Sequence, residues 1–348
     1  MRFLIAIPLS MVLSLPLVAQ TRALHPSKPI SLDLKLGSND LPSNDIMCDR
    51  DGNTYVTVHD PTSDDRSDRP LLKFDKSGAL KAEFITSRKS LGLSEYEDHF
   101  EPSALLPNGG IARLAWGQGG IYLVRFAADG RLEGRSKIQN PAFPMIIPYH
   151  VAAFPSGEIL VSGLEVCRSR RCMGAFKSFT ALYDQSGQLL KRLSIPEDDE
   201  IDAAAEIGDS RYASGPMFGN RAISGGKIRL GDDGNVYLMR RTSPATVYII
   251  SSSGDVIRTL QIQPGREGWA SVDMQVSNGK IALEFSDCSP SRCEGSTLSV
   301  ADAISGKRLT DTDDTLGTLA CFAATPERFT FLTISEKNAL QLVDAQPK

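Results

Sequence analysis

The stretch Gly231–Ile262, GDDGNVYLMRRTSPATVYIISSSGDVIRTLQI, decides the fold. It opens on a turn, Asp232-Asp233-Gly234-Asn235. A β-run over Val236–Met239 follows, then a short polar connection, Thr242-Ser243-Pro244. A second run, Thr246–Ile250, stops at Ser253-Gly254, and a third, Val256–Ile262, alternates apolar and polar side chains. Runs of β-branched and aromatic residues bounded by Gly, Asp, Asn and Pro read as strands joined by tight turns.

The same punctuation recurs along the chain. Asp51-Gly52-Asn53 starts Thr54–His59, Leu71–Phe74 and Leu80–Ile85; Asn108-Gly109-Gly110 starts Ile111–Trp116, Ile121–Phe126 and Arg131–Ile138. Ser156-Gly157 leads into Ile159–Val166, Phe179–Tyr183 and Leu189–Ile195. Asn278-Gly279 leads into Ile281–Phe285, Thr297–Val300 and Arg308–Thr310. A degraded last copy has Pro326-Glu327, Phe329–Ile334 and Leu340–Val343. Another short run precedes each turn: Ile46–Cys48, Ala104–Leu106, Val151–Phe154, Ile228–Leu230, Val272–Val276 and Leu319–Phe322. Each unit therefore has four strands, A to D, with glycine in the turns because tight hairpins need φ > 0.

The anchor glycines stand at positions 52, 109, 157, 234 and 279, with Glu327 in the sixth place, at steps of 57, 48, 77, 45 and 48 residues. Four-stranded units spaced by about 40–50 residues mark the blades of a β-propeller. The long third step holds an insertion and no further copy. The expectation is an all-β, six-bladed β-propeller in one domain over residues 30–345. Its blades fall near 44–86, 101–138, 149–195, 223–262, 270–310 and 318–345. The sixth unit ends after its C strand, near Val343. Residues 30–36 alternate strictly and belong to no unit, so they are expected to complete the last blade as its outer strand and remove a bare edge.

Residues 1–19 read as a secretory signal: Arg2, an apolar Phe3–Val18, and Leu17-x-Ala19 suited to cleavage before Gln20. Residues 20–29 read as a polar leader. The chain is then expected to be secreted or periplasmic, a monomer, and without stable membrane insertion once the signal is removed. The apolar run falls short of the roughly 20 residues a membrane helix needs. Net charge is −4 for the 348-residue chain, with no basic stripe, which argues against nucleic acid as a partner. Apolar residues make up 41%, ample for a core.

Up-and-down strands sort the connections onto two faces. The A–B and C–D turns are short and share one face. The B–C hairpins and the links between blades share the other, and they are long and varied: Pro61–Pro70, Thr86–Glu101, Gln139–His150, Cys167–Cys172, Pro196–Gly226, Pro264–Ser271 and Cys288–Cys293. Varied loops on a rigid scaffold are where binding concentrates.

Six cysteines in a secreted chain suggest disulfides. Cys167 and Cys172, and Cys288 and Cys293, occupy equivalent B–C hairpins and are expected to pair within them; a four-thiolate zinc site is the alternative. That leaves Cys48 and Cys321, on the A strands of blades one and six, which a closed ring makes neighbours.

The candidates for chemistry are sparse. His99 and Glu101, Tyr149 and His150, and Asp273 enter A strands from the loop-rich face and could converge on the axis as ligands or an acid–base set. The competing reading has each histidine satisfied by nearby backbone. Trp116 and Trp269 lie on connections of the same face, where aromatics suit a sugar or peptide, or pack between blades. His25 falls in the leader. His59 precedes an acidic hairpin, Asp60, Asp64, Asp65 and Asp68, broken up by Arg66 and Arg69. This hairpin and the acidic Pro196–Asp209 read as solvated charge runs, the latter with one short helix. Calcium or another divalent ion is the alternative at both. No phosphate loop, G-x-S-x-G, HExxH or CxxCH occurs.

Asp233-Gly234-Asn235-Val236-Tyr237 with Val247-Tyr248-Ile249 and Ser253-Gly254-Asp255, and Asp51-Gly52-Asn53-Thr54-Tyr55 with Leu72-Lys73-Phe74-Asp75 and Ser77-Gly78, resemble the NHL-type repeat of six-bladed propellers. Two copies match closely, and the family's usual Asn-x-Arg-Ile before the C strand is missing. The resemblance implies the architecture. Such propellers include binding scaffolds, lactonases and lyases, and fold alone does not choose among them. Two functions follow as expectations. One is a non-enzymatic binding propeller for a protein, peptide or glycan, with no cofactor. The other is a metal-dependent hydrolase or lyase of lactonase type at the axial mouth.

Overall fold

In the computed structural model, Val236–Arg240 and Ala245–Ile250 are adjacent antiparallel strands in which every residue is buried. A strand with one wet face alternates apolar and polar residues. These two do not, because the sheet they belong to is covered on both faces. Lys227–Leu230 flanks them on one side and Val256–Ile262 on the other, giving a four-stranded antiparallel blade. The turn before the B strand is fixed by Gly234 at φ +79°. Asp233 accepts hydrogen bonds from the Asn235 backbone N–H at 3.1 Å and from the Tyr237 hydroxyl at 3.1 Å. Blade one repeats the device with Asp49, which accepts from Asn53 N–H at 2.9 Å and from Tyr55 at 3.0 Å.

Six such sheets form the ring of an all-β, six-bladed propeller with four antiparallel strands per blade. The structure describes residues 19–37, 41–42, 46–59, 70–85, 102–117, 120–139, 146–166, 176–199, 214–215, 219–288, 293–312 and 315–348. Each pair of neighbouring blades shares an apolar layer. Leu123 and Val161 meet between blades two and three, Leu160 and Leu238 between three and four, and Val247 and Leu283 between four and five. Val56 and Leu332 meet between blades one and six, where the ring closes.

Closure uses more of the N-terminal segment than 30–36. Ile30–Lys35 pairs with the last strand, Ala339–Pro347, as expected. The same edge also takes Leu24–Pro26, including His25. Gln20–Thr21 runs parallel to Arg308–Thr312 as a fifth strand of blade five. Within the polar leader, residues 20–21 and 24–26 thus strap the rims of the last two blades. Their polarity hides this, because outer strands carry few apolar residues.

Cys48 and Cys321 form a disulfide between the innermost strands of blades one and six, with Cα atoms 5.7 Å apart. Repeat alignment puts the two cysteines about two residues out of step. A β-bulge at Ala320, between the Leu319–Phe331 and Cys321–Thr330 pairs, lies beside this junction. Matching bulges occur at Tyr149 and Val272, on the innermost strands of blades three and five. Cys288 and Cys293 face each other in register at the end of their hairpin. Cys167 and Cys172 lie outside the described residues, as do most of the signal segment and the acidic hairpin of blade one.

Candidate functional site: the axial mouth and the loop-rich end of blade three

The innermost strand of blade four, Lys227–Leu230, turns Ile228 and Leu230 into the layer shared with blade three. Period-2 geometry sends Lys227 and Arg229 the other way, towards the axis and blade five. There they meet Asp273 and Gln275 of the strand Ala270–Ser277. Arg229 Nε donates to Gln275 Oε1 at 3.2 Å, and Nη2 lies 3.6 Å from Asp273 Oδ1. Lys227 Nζ lies 3.9 Å from Asp273 Oδ2. Arg229 Nη2 also donates to the carbonyl of Ile46, on the opposite blade, at 3.0 Å. On the turn face, Arg50 of blade one reaches Asp232 of blade four at 3.6 Å. Two contacts thus tie blade one to blade four, Arg229 to Ile46 and Arg50 to Asp232.

Glu284, on the next strand of blade five, is 8% exposed. Its Oε2 accepts from the Leu319 backbone N–H of blade six at 3.4 Å. Burial pushes its carboxyl up to about 7, and the negative charge of Asp273 adds to this; Leu319 N–H, Lys227 and Ser296 oppose it. Asp273 and Glu284 are cross-strand partners.

The expected residues sort as follows. Asp273 joins the axial set. His150 does not: its Nε2 lies 2.9 Å from the carbonyl of Ile223, in the short helix Arg221–Ser224. That helix packs Ala222 and Ile223 against Leu164, with Tyr149 at the edge. Burial pushes the Tyr149 phenol up to about 12. The long insertion therefore returns to cover the end of blade three. Trp269 packs against the layer between blades four and five, with the Arg266 guanidinium 4.8 Å from its ring centre. Gly295 passes beneath that ring at φ +61°. Trp116 lies in the B strand of blade two, where its backbone alone is described. His99 and Glu101 lie outside the described residues. Sequence reading passed over Arg229, Gln275 and Glu284, although Lys227-x-Arg229 and Asp273-x-Gln275 carried a signal: charged and amide residues at alternate positions of innermost strands.

A second polar centre joins blades three and four. Arg240, fully buried, donates from Nε and Nη2 to Asp198 at 2.9 and 2.6 Å, and from Nη1 to Ser162 at 3.1 Å. Asp198 belongs to residues 196–199, which are helical. Half of the acidic pair Asp198-Asp199 is thus interior, because a buried guanidinium from the next blade neutralises it. Among the described residues, no group of three or more His, Cys, Asp or Glu is placed to hold a metal ion.

The fold and the axial network together define a six-bladed β-propeller whose innermost strands are linked across the axis by ion pairs and hydrogen bonds. No protein-family model matches the chain, and no curated protein matches it. Among solved structures it is similar to the PQQ-bound form of an aldose sugar dehydrogenase from Streptomyces coelicolor. Identity is 9% and the TM-score 0.47, over 94% of this chain and 98% of that one. It is also similar to a protein of unknown function from Bacteroides caccae, at 14% identity and a TM-score of 0.37, over 77% and 76% of the two chains. An eukaryotic initiation factor structure aligns at 7% identity and a TM-score of 0.36, over 79% of this chain and 54% of that one. Likeness at this level carries no statement about activity.

Proposed function

We propose that this chain is a secreted or periplasmic binding propeller without catalytic activity, which recognises a protein, peptide or glycan through its loop-rich face. The observation that carries this reading is the state of the axis. Asp273 already sits between Lys227 and Arg229, and Arg229 ties blade five to the Ile46 carbonyl of blade one. A hydrolytic metal centre needs carboxylates and imidazoles that converge without competing cations. Here cations occupy that place, and His150 is turned to the covering helix. Recognition then falls to the long connections, which a rigid ring holds in fixed relation.

The alternative is a metal-dependent hydrolase or lyase at the axial mouth. What favours it is the adjacent pair Asp273 and Glu284, with a carboxyl titrating near neutrality. Elemental analysis of the purified full-length protein separates the two. The binding reading expects no stoichiometric, tightly held divalent ion, and one such ion per chain overturns it. Cell fractionation tests the compartment and light scattering the monomer. No helix among the described residues is long and apolar enough to cross a membrane.

A further inference from the structure

The strand Gln20–Thr21 begins at the bond where the secretory signal reads as ending, after Leu17-x-Ala19. A chain cut there starts with glutamine. The fold holds that residue in the open: Gln20 and Thr21 are both exposed, on the outer edge of blade five. They run parallel to Arg308–Thr312, with Gln20 opposite Thr310 and Thr21 opposite Asp311. The next residue extends the seat, since Arg22 N–H donates to the Asp311 carbonyl at 2.8 Å. Residues 20 and 22 of an extended strand share a face. There Arg22 Nη2 donates to Gln20 Oε1 at 3.3 Å. Asp311 is the one acid of the partner strand, and its carboxylate is committed within blade five. It accepts from Ser299 Oγ at 2.6 Å and lies 3.1 Å from Arg308 Nε.

A terminal glutamine sets a carboxamide at five-membered-ring distance from a primary amine. Reaction within one residue needs no encounter, so its effective concentration is high. An α-amine titrates at about 8, so near neutrality a share of it is the uncharged nucleophile. The contact with Arg22 acts on the other partner. A guanidinium donating to Oε1 draws electron density from Cδ and stabilises the negative charge that gathers on the oxygen as the amine attacks. Oε1 is also the atom that ring closure keeps, so Arg22 holds the product's oxygen and leaves the departing nitrogen alone.

We propose that Gln20 is a modification site: once residues 1–19 are removed, its amine closes onto its own carboxamide and the mature N-terminus is pyroglutamate, with Arg22 positioning the carbonyl. The α-nitrogen forms a bond to Cδ and the bond from Cδ to Nε2 breaks. Nε2 takes a proton from the α-amine and leaves as ammonia. Oε1 stays as the lactam carbonyl, and nothing is oxidised or reduced. The product carries a neutral lactam N–H where an ammonium stood, and it denies aminopeptidases the free amine they bind. The strap over blades five and six is then kept at full length. The inference rests on the secreted or periplasmic reading above and on the cut before Gln20, and it holds whatever the propeller binds.

The test expresses the full-length chain with its own signal, recovers the exported protein and weighs its N-terminal peptide. The peptide should begin at Gln20, be lighter than the free-amine form by one ammonia and resist amine labelling. A peptide that begins at Gln20 and keeps its free amine through incubation at neutral pH overturns the proposal and leaves the signal reading standing. A peptide that begins elsewhere overturns the cut and the proposal together. The role of Arg22 is read from a rate, on mature protein freshly released from an N-terminal fusion by a protease. Arg22→Ala should close its ring about threefold more slowly, as expected for one lost hydrogen bond. Wild-type protein unfolded in urea should slow to the rate of the variant in urea, because the strand no longer sets the contact. Equal rates for folded wild type and Arg22→Ala overturn the positioning role. Both residues are on the surface of the edge strand, so the variant should melt with the wild type.

Discussion

Arg229 reaches across the propeller axis to the carbonyl of Ile46, 183 residues away in sequence, and donates to it at 3.0 Å. Its other contacts, to Gln275 and Asp273, make one side chain the common member of blades one, four and five at the centre of the ring. Arg229→Ala should cost roughly 3 kcal/mol, since buried Asp273 then loses the nearer of the two cations beside it, at 3.6 Å against 3.9 Å for Lys227. Urea unfolding of the variant measures this. A variant within 0.5 kcal/mol of the wild type, to the order of measurement error, would mean that the axis is not a stabilising element.

The Arg240–Asp198 pair anchors the insertion to blade four. Both groups are buried, so removing one leaves the other uncompensated: Asp198→Asn should destabilise by about 3–5 kcal/mol. Combining it with Arg240→Met should recover much of the loss, because no buried charge then remains. Four stability measurements in a double-mutant cycle give the coupling, and additive losses would contradict it.

Glu284 predicts a pH window. The folded chain holds this proton up to about pH 7, whereas an exposed carboxyl releases it near 4.5. Stability should therefore fall as pH rises between those values and level off above 7, by roughly 3 kcal/mol in total. Glu284→Gln has no proton to lose and should be the more stable protein at pH 8. Denaturation of both at pH 5, 6, 7 and 8 checks the sign; parallel curves would remove Glu284 as the cause.

The disulfide between Cys48 and Cys321 spans 273 residues and clasps the first blade to the last. On the chain-entropy model it contributes about 5 kcal/mol. Cys48→Ser should lower the midpoint more than removal of either bond expected within a hairpin, Cys167–Cys172 or Cys288–Cys293, since each would close a short loop worth roughly 2 kcal/mol. Non-reducing peptide mapping identifies the three pairs, and labelling of Cys321 in the untreated protein would refute the clasp.

The N-terminal strap divides into two parts with different weights. A chain beginning at Ala23 loses only the two-residue parallel strand on blade five and should melt close to the full-length protein. One beginning at Asp40 loses both segments that cover Ala339–Pro347 and bares that edge, so it should melt early and aggregate. Equal melting temperatures for the two truncations would show that the ring closes without this strand.

The number of blades, the strand order within them, the closing role of residues 30–36 and the meeting of Cys48 with Cys321 were all legible in the sequence. They rest on local signals that every copy repeats: a turn that needs glycine, and β-runs of a length set by one blade. Topology alone then made the ends of the chain neighbours. The strap of residues 20–26 was not legible, because an outer strand is polar and two or three residues long, and only its partner defines it. Nor was the axial network. The innermost strands of two consecutive blades bring Arg229 within hydrogen-bond reach of Gln275, 46 residues away, and no spacing rule relates the two. His150 shows the same limit from the other side: its position on the strand pointed to the axis, but a helix more than seventy residues later supplied its partner. Arg240 stands inside the very stretch that defines the fold, yet its role depends on a carboxylate that the insertion folds down from blade three. Short-range geometry wrote the ring into the sequence, and the contents of the site were decided by which side chains the ring carried to the same place.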